Sequence, residues 1–350
     1  MNDIELVIAL VAAAAVLVRL ADSIGIPYPI VLVIGGVAIA FIPGEPRLDL
    51  DPDVVFLVFL PPLLQAAGYY ASPRELRAEG APLAGLLVAL PLVTIVAVAA
   101  VAQAVIPEIG WAEGLVLGAI VAPTDPVAAI ATFDRIGVAA RVRLLVEGES
   151  MLNDATALVA YRVALAAVVT GTFSAGEAAV DLVLAVAGGI AIGLAIGWAA
   201  VRALRRLTDV PLAILLTVLT AYVGFALAEE VGASGVLAVV ATGLYMGWYS
   251  HDAFGADLRL NAQAFWEALV FALNAILFIL LGLQLPDIVE DIEQQLGIGE
   301  MLGYGLLVSA VVIGLRIAWQ FLPDALGRVV PAAASVSTGA DWRERLLVGW

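Results

Sequence analysis

Apolar residues in this chain come in runs about as long as a bilayer requires, separated by short polar breaks. A spanning helix needs ~20 mostly apolar residues. Such runs fall at about 4–20, 27–43, 53–71, 82–105, 112–133, 144–169, 178–203, 211–229, 233–250, 262–284 and 301–322. They are apolar all round rather than striped, which marks helices bathed in lipid or buried among other helices. The pattern predicts an all-α polytopic membrane protein with eleven transmembrane helices. The first run does not read as a cleaved signal peptide, because Arg19 follows it rather than precedes it and no small-residue cleavage site stands out.

The polar breaks alternate in charge. Arg19, Arg74, Arg77, Arg135, Arg141, Arg143, Arg202, Arg205, Arg206, Arg259, Arg328, Arg343 and Arg345 flank the odd-numbered loops, and Arg47 alone lies on the other side. The even-numbered loops collect acids such as Glu45, Asp53, Glu108, Glu177, Glu229, Asp287 and Glu300. Cytoplasmic loops carry the positive charge. The N-terminus is therefore expected outside a plasma membrane, with residues 323–345 in the cytoplasm. The same alternation supports the helix count, since one helix too many would scramble every later loop. After Arg343-Glu344-Arg345, the segment Leu346-Leu347-Val348-Gly349-Trp350 reads as the start of a twelfth helix, so the chain is expected to be a piece of a longer membrane protein.

Composition narrows the chemistry. The chain is 63% hydrophobic with a mean hydropathy of +1.05 and has no cysteine. Thiol catalysis, disulfides and cysteine metal sites are excluded. The single histidine, His251, reads as a plain loop residue, so neither a histidine metal site nor a Ser-His-Asp triad can be assembled inside the membrane. Every basic residue is arginine and the formal charge is -16, which suits an acidic background. Composition alone makes the lipid bilayer the expected partner, with no nucleic acid, no enzyme activity and no cofactor expected.

Against this background Asp125 and Asp154 are out of place. A charge near the bilayer centre costs roughly 2.5–3.5 kcal/mol on insertion scales, so each needs an ion, a proton or a partner. Pro123 and Pro126 bracket Thr124-Asp125 in the fifth run, and each removes a backbone donor and clashes with the preceding turn. The helix is expected to break there and to gather freed carbonyls, the Thr124 hydroxyl and the Asp125 carboxylate at mid-depth, as secondary transporters do at their ion sites. In the sixth run Glu149 and Asn153, and Ser150 and Asp154, are four residues apart and form adjacent tracks on one face. The Asn153 amide is placed to orient the neighbouring carboxylate. Glu149 is expected to pair with Arg316, the ionisable residue inside the eleventh run. Arg162, further along the sixth, is left open between snorkelling and pairing. Gly188, Gly189, Gly193 and Gly197, together with Ser234-Gly235, Gly243 and Gly247, read as close helix packing.

Ala-Pro-Thr-Asp-Pro-Val at 122–127 followed by Glu-Gly-Glu-Ser-Met-Leu-Asn-Asp-Ala at 147–155 resembles the paired signatures of the monovalent cation/proton antiporter family, the NhaP-like bacterial antiporters and sodium/proton exchangers. Leu60-Pro61-Pro62-Leu63-Leu64, Ser234-Gly235-Val236-Leu237, Asn274, Gly282-Leu283-Gln284 and Arg316 extend the likeness along the chain. The resemblance implies a thirteen-helix fold of two inverted six-helix repeats, assembled as a homodimer, whose core moves against a dimerisation domain like an elevator. On that scheme residues 1–170 are the first repeat, 171–206 a linker helix and 207–350 an incomplete second repeat. It also implies that Asp154 carries cation and proton, that Thr124, Asp125, Asn153 and Ser150 shape the site, and that Glu149 pairs with Arg316. Asp154, Asp125 and Thr124 are the expected ligands of a sodium or potassium ion, and the Asn-Asp pair is associated with electroneutral exchange. Two features depart from the family: Ala66, with Gln65 beside it, stands where members often carry an acid, and the second broken helix would lie past Trp350.

A carboxylate that holds either a proton or a cation, never both, and is carried across in both forms performs exchange. Oxygen ligands suit hard ions such as sodium and lithium without fixing the ion's size, so potassium/proton exchange stays open. From another class, two membrane aspartates could form an aspartic protease dyad, but Asn153 and the proline bracket suit ion coordination better. A channel or a non-transporting sensor on the same fold is the remaining alternative.

Overall fold

The computed structural model describes residues 3–41, 52–71, 89–107, 109–124, 129–130, 132–133, 140–170, 175–293 and 297–327. Among them eleven long helices follow one another: α1 (Asp3–Ile24), α2 (Tyr28–Ala40), α3 (Pro52–Tyr70), α4 (Leu90–Val105), α5 (Trp111–Val121), α6 (Ala140–Thr170), α7 (Ala175–Leu204), α8 (Val210–Glu230), α9 (Gly235–Ala253), α10 (Ala256–Glu293) and α11 (Ile298–Gly327). Each overlaps one apolar run. A helix satisfies its own backbone, the condition hydrocarbon imposes on any spanning segment. Among the described residues four segments are long and apolar enough to cross a membrane by themselves: Val183–Leu204, Val210–Glu230, Ala256–Glu290 and Ile298–Leu322. Tyr28–Ala40, Val55–Tyr70, Leu90–Val105, Trp111–Val121, Thr156–Thr170 and Gly235–Ser250 are shorter apolar helices.

Helix ends follow local chemistry. The Asp209 side chain accepts the Leu212 N–H at 2.9 Å and starts α8, while Ser234 accepts from Leu237 at 3.3 Å and starts α9. Between these helices Gly232 takes a φ of 73°, a conformation that costs glycine little and other residues more. His251, expected in a loop, lies in the last turn of α9, because the helix continues past its apolar run to Ala253. α10 outruns its apolar run at both ends for the same reason: hydropathy measures the apolar slab, not the helix.

The helices pack in two groups. α4, α5, α6 and α11 pack through the pairs α4–α5, α5–α6 and α4–α11. α1, α2, α3, α7, α8, α9 and α10 pack through α7–α9, α2–α10, α3–α9 and α8–α9. α6 touches α3, α7 and α9 more lightly and so borders the second group. Ile95, Ala119 and Ala122 form the buried centre of the first group. Leu10, Leu32, Phe59 and Ile279 form one centre of the second, and Leu204, Met246, Phe254 and Leu258 another. Large apolar residues such as Val16, Ile34, Leu184, Leu215 and Leu306 face outward, as lipid as solvent permits.

Glycine sets how closely the second group packs. A Cβ on Gly282 of α10 would overlap the Val33 carbonyl oxygen of α2, and one on Gly36 would overlap the Ile279 carbonyl oxygen. The same arrangement joins Gly193 of α7 to Ala238 of α9, and Gly243 of α9 to Gln65 of α3. Close backbone approach of this kind drives association where lipid removes the hydrophobic incentive. Gly282→Val is expected to push α2 and α10 apart and cost about 1–3 kcal/mol as overpacking. A lower unfolding temperature in detergent than for Gly303→Val, where no atom lies within 4 Å of the added Cβ, is the check.

Candidate ion-binding site

α5 stops at Val121, one residue before Ala122-Pro123-Thr124. Pro123 lies in a bend, Thr124 is non-helical, and helical backbone returns at 129–130. Proline at 123 has no N–H with which to continue the ladder. Asp125 and Pro126 fall outside the described residues.

Thr124 is held from two sides. From α6, the Asn153 Nδ2 donates to Thr124 Oγ1 at 3.1 Å. From α11, the Arg316 Nη1 donates to the same oxygen at 3.3 Å. The amide that was placed to orient the neighbouring carboxylate thus reaches across to the interrupted helix. Arg316 also forks onto Glu149, with Nη1 on Oε1 and Nη2 on Oε2 at 2.9 Å. The two ends of the pair are unequally sheltered, the Arg316 side chain being 12% exposed and Glu149 1%. A guanidinium meets a carboxylate through two parallel hydrogen bonds, which fixes direction as well as distance. One arginine therefore neutralises a buried carboxylate and steadies the point where α5 ends.

Glu149 and Asn153 stand one turn apart on α6, both 1% exposed; α6 packs on α5, and the two side chains reach Arg316 of α11 and Thr124. The Asn153 Oδ1 is buried and has no hydrogen-bond partner among the described residues. Buried polar atoms normally have one. A carbonyl-type oxygen of this sort, next to a threonine hydroxyl in an interrupted helix, has the donor chemistry of a hard monovalent cation site. The backbone of α6 also runs through Ser150 and Asp154, whose side chains lie outside the described residues. Among the described residues no three His, Cys, Asp or Glu side chains gather as a multivalent metal site would require.

Ala66 is buried in α3, and its neighbour Gln65 is buried and tied to α8. Gln65 Nε2 donates to the Thr217 carbonyl at 2.6 Å, and Thr220 Oγ1 donates to Gln65 Oε1 at 3.2 Å. Trp266 Nε1 donates to Thr217 Oγ1 at 3.1 Å. This cluster joins α3, α8 and α10 within the second group, so the neutral Gln65-Ala66 pair serves packing. No spacing signature announces this cluster or the bond from Arg316 to Thr124: Gln65 lies 152 and 155 positions from its partners on α8, Trp266 49 from Thr217, and Arg316 192 from Thr124. The sequence also left Arg162 open: that side chain pairs with Glu229 of α8, Nη2 lying 3.0 and 2.9 Å from the two carboxylate oxygens.

Thr124→Val removes the shared acceptor and leaves an Asn153 N–H without its partner. An unsatisfied buried donor costs ~1–3 kcal/mol, so a roughly tenfold rise in the half-saturating cation concentration is expected if the threonine belongs to the site. Thr124→Ser restores the hydroxyl and should stay within about twofold of the parent, both read as cation-dependent proton release.

Residues 6–350 match the family described as sodium/hydrogen exchanger, transmembrane. A sodium, potassium, lithium and rubidium/H(+) antiporter from Bacillus pumilus is 35% identical over 324 residues, covering 90% of this chain and 48% of the relative. The Na(+)/H(+) antiporter ApNhaP of Aphanothece halophytica is 32% identical over 332 residues, covering 93% of this chain and 60% of that protein. The chain spans about half the length of the Bacillus relatives it matches. Its fold is that of the sodium proton antiporter MjNhaP1 from Methanocaldococcus jannaschii, with a TM-score of 0.75 at 22% identity over 99% of this chain and 81% of that one. From the matched residues and the shared fold, the chain belongs to the sodium/hydrogen exchanger family.

Proposed function

We propose that this chain forms part of a secondary antiporter that exchanges sodium or lithium for protons, one for one, with Asp154 binding either ion in turn. The observation that carries the reading is the junction at Thr124. There an interrupted helix is fastened by Asn153 and Arg316, beside a buried Asn153 oxygen with no partner among the described residues. A neutralised Glu149 leaves the site's net charge to the two aspartates of the motif. Asp125, Ser150 and Thr124 complete the ligand set on this reading. A proton on Asp154 and a cation beside it exclude each other, so a gradient of one drives the other.

The separation of the helices into two packed groups supports an elevator motion in which α4, α5, α6 and α11 slide against the rest. Inverted repeats at 1–170 and 207–350 linked through 171–206, a homodimeric assembly, a plasma-membrane location, an external N-terminus and cytoplasmic residues 323–345 belong to the same proposal. Potassium exchange is the second reading, favoured by the name of the Bacillus pumilus relative, which includes potassium and rubidium.

Proteoliposomes holding the protein and an internal pH dye decide between these. Sodium and lithium are each expected to release protons at low concentration, and potassium only at far higher concentration. An equal response to potassium would move the assignment to the second reading. A steady conductance in place of saturable exchange would replace antiport with a channel.

A further inference from the structure

Arg162 and Glu229 form an ion pair that the site does not use. Arg162 lies in α6, in the group that holds the site, and Glu229 in the last turn of α8, in the other group. The two helices make little other contact, so the pair is a bridge rather than part of a packed seam. Glu229 is pinned from its own side, because its Oε1 also accepts the Gly235 N–H at 2.9 Å across the α8–α9 turn. Among the described residues Arg162 has no such anchor in its own group; it reaches out to a carboxylate that the other group holds ready. The side chains are 48% and 30% exposed. Water can take up both charges when they part, and an exposed pair is held weakly enough to open and close repeatedly.

The position of the bridge gives it a side. On the proposed orientation, α6 runs outward from Ala140 and α8 outward from Val210, so Arg162 and Glu229 lie towards the external ends, beyond Asn153 and Thr124. We infer that Arg162 and Glu229 are an external clasp, which locks the two groups together while the outer path to the site is closed and parts when the site opens outward. This inference rests on the antiport reading and its orientation. The clasp holds the inward-open population, and the apparent affinity for an external ion falls in proportion to the fraction of protein able to bind it.

The test exploits the absence of cysteine from the chain. Two head-on long side chains set their backbones too far apart for a direct disulfide, so a short bifunctional maleimide is used on R162C/E229C. In proteoliposomes the cross-linked protein should lose at least about tenfold of its sodium-dependent proton exchange, since every cycle needs the groups to part, while wild type treated alike keeps it. Unchanged exchange after complete cross-linking overturns the clasp and leaves antiport standing. Absence of exchange in untreated wild type overturns antiport and the clasp together. As a second arm, Arg162→Glu should lower the half-saturating external sodium by about two- to fivefold, and R162E/E229R should return it towards wild type. A lower unfolding temperature with no change on the external side would mark a merely structural pair and overturn the inference.

Discussion

Arg316→Ala is expected to abolish exchange and to destabilise the folded protein by about 3–5 kcal/mol, the cost of leaving one half of a buried ion pair alone. The Glu149 side chain is 1% exposed, so water cannot replace the guanidinium. Against a total stability of order 5–15 kcal/mol, such a loss shows as a lower unfolding temperature in detergent and a lower yield from the membrane. The same change removes a donor to Thr124, so the end of α5 loosens as well. Separating the two effects takes two more variants. Arg316→Lys keeps the charge but not the planar fork, and one ammonium cannot reproduce the bidentate hold on Glu149 together with the bond to Thr124. It should recover much of the stability and little of the exchange. The pair Arg316→Met with Glu149→Leu removes both charges, which is often neutral for stability when volume is kept. It should fold and still fail to exchange. Exchange at the parent rate in that double variant would show that Arg316 matters only as a counter-charge.

The apolar runs locate the eleven long helices among the described residues because a bilayer leaves the backbone few options, favouring a helix wherever apolar residues run on. Their ends are less legible. α10 spans Ala256–Glu293 although its apolar run covers only 262–284, since Asp257 to Gln263 and Asp287 to Glu293 remain helical in polar surroundings. The interruption after Val121 was readable from Pro123, as was the shared face of Glu149 and Asn153 from their four-residue spacing. The partnership of Glu149 with Arg316 rested on a lone charge seeking another. What no local pattern carries is the second use of Arg316 on Thr124, 192 positions away in the chain, or the choice of Glu229 by Arg162 over solvent. Spacing along one helix fixes neighbours on that helix, while contacts between helices depend on how the groups pack. The glycines show the same limit from the other side. Gly193 and Gly243 read as close packing from the sequence, yet only the fold shows that they meet the backbone carbonyls of Ala238 and Gln65.

Asp154→Asn is the second change with a large expected effect, because on the proposed reading it touches the ion carrier itself. An asparagine is close in size to aspartate and keeps an oxygen, so the fold and the α6 contacts around Glu149 and Asn153 should persist. What it lacks is a site that takes up and gives back a proton at accessible pH. Without that proton no cation can be traded for it, however well the remaining oxygens of Thr124 and Asn153 bind. Loss of exchange with an unfolding temperature close to the parent's therefore distinguishes the carrier from a structural carboxylate such as Glu149, whose loss should lower both. Asp125→Asn is expected to weaken cation affinity while leaving measurable exchange, since on this account Asp125 shapes the site and does not carry the proton.

The most direct measurement is proton release from acid-loaded proteoliposomes on addition of external sodium, comparing the parent with Asp154→Asn at equal protein incorporation. The account predicts rapid sodium-dependent dequenching of the pH dye for the parent and none for Asp154→Asn, and sodium-dependent dequenching retained by Asp154→Asn would contradict it.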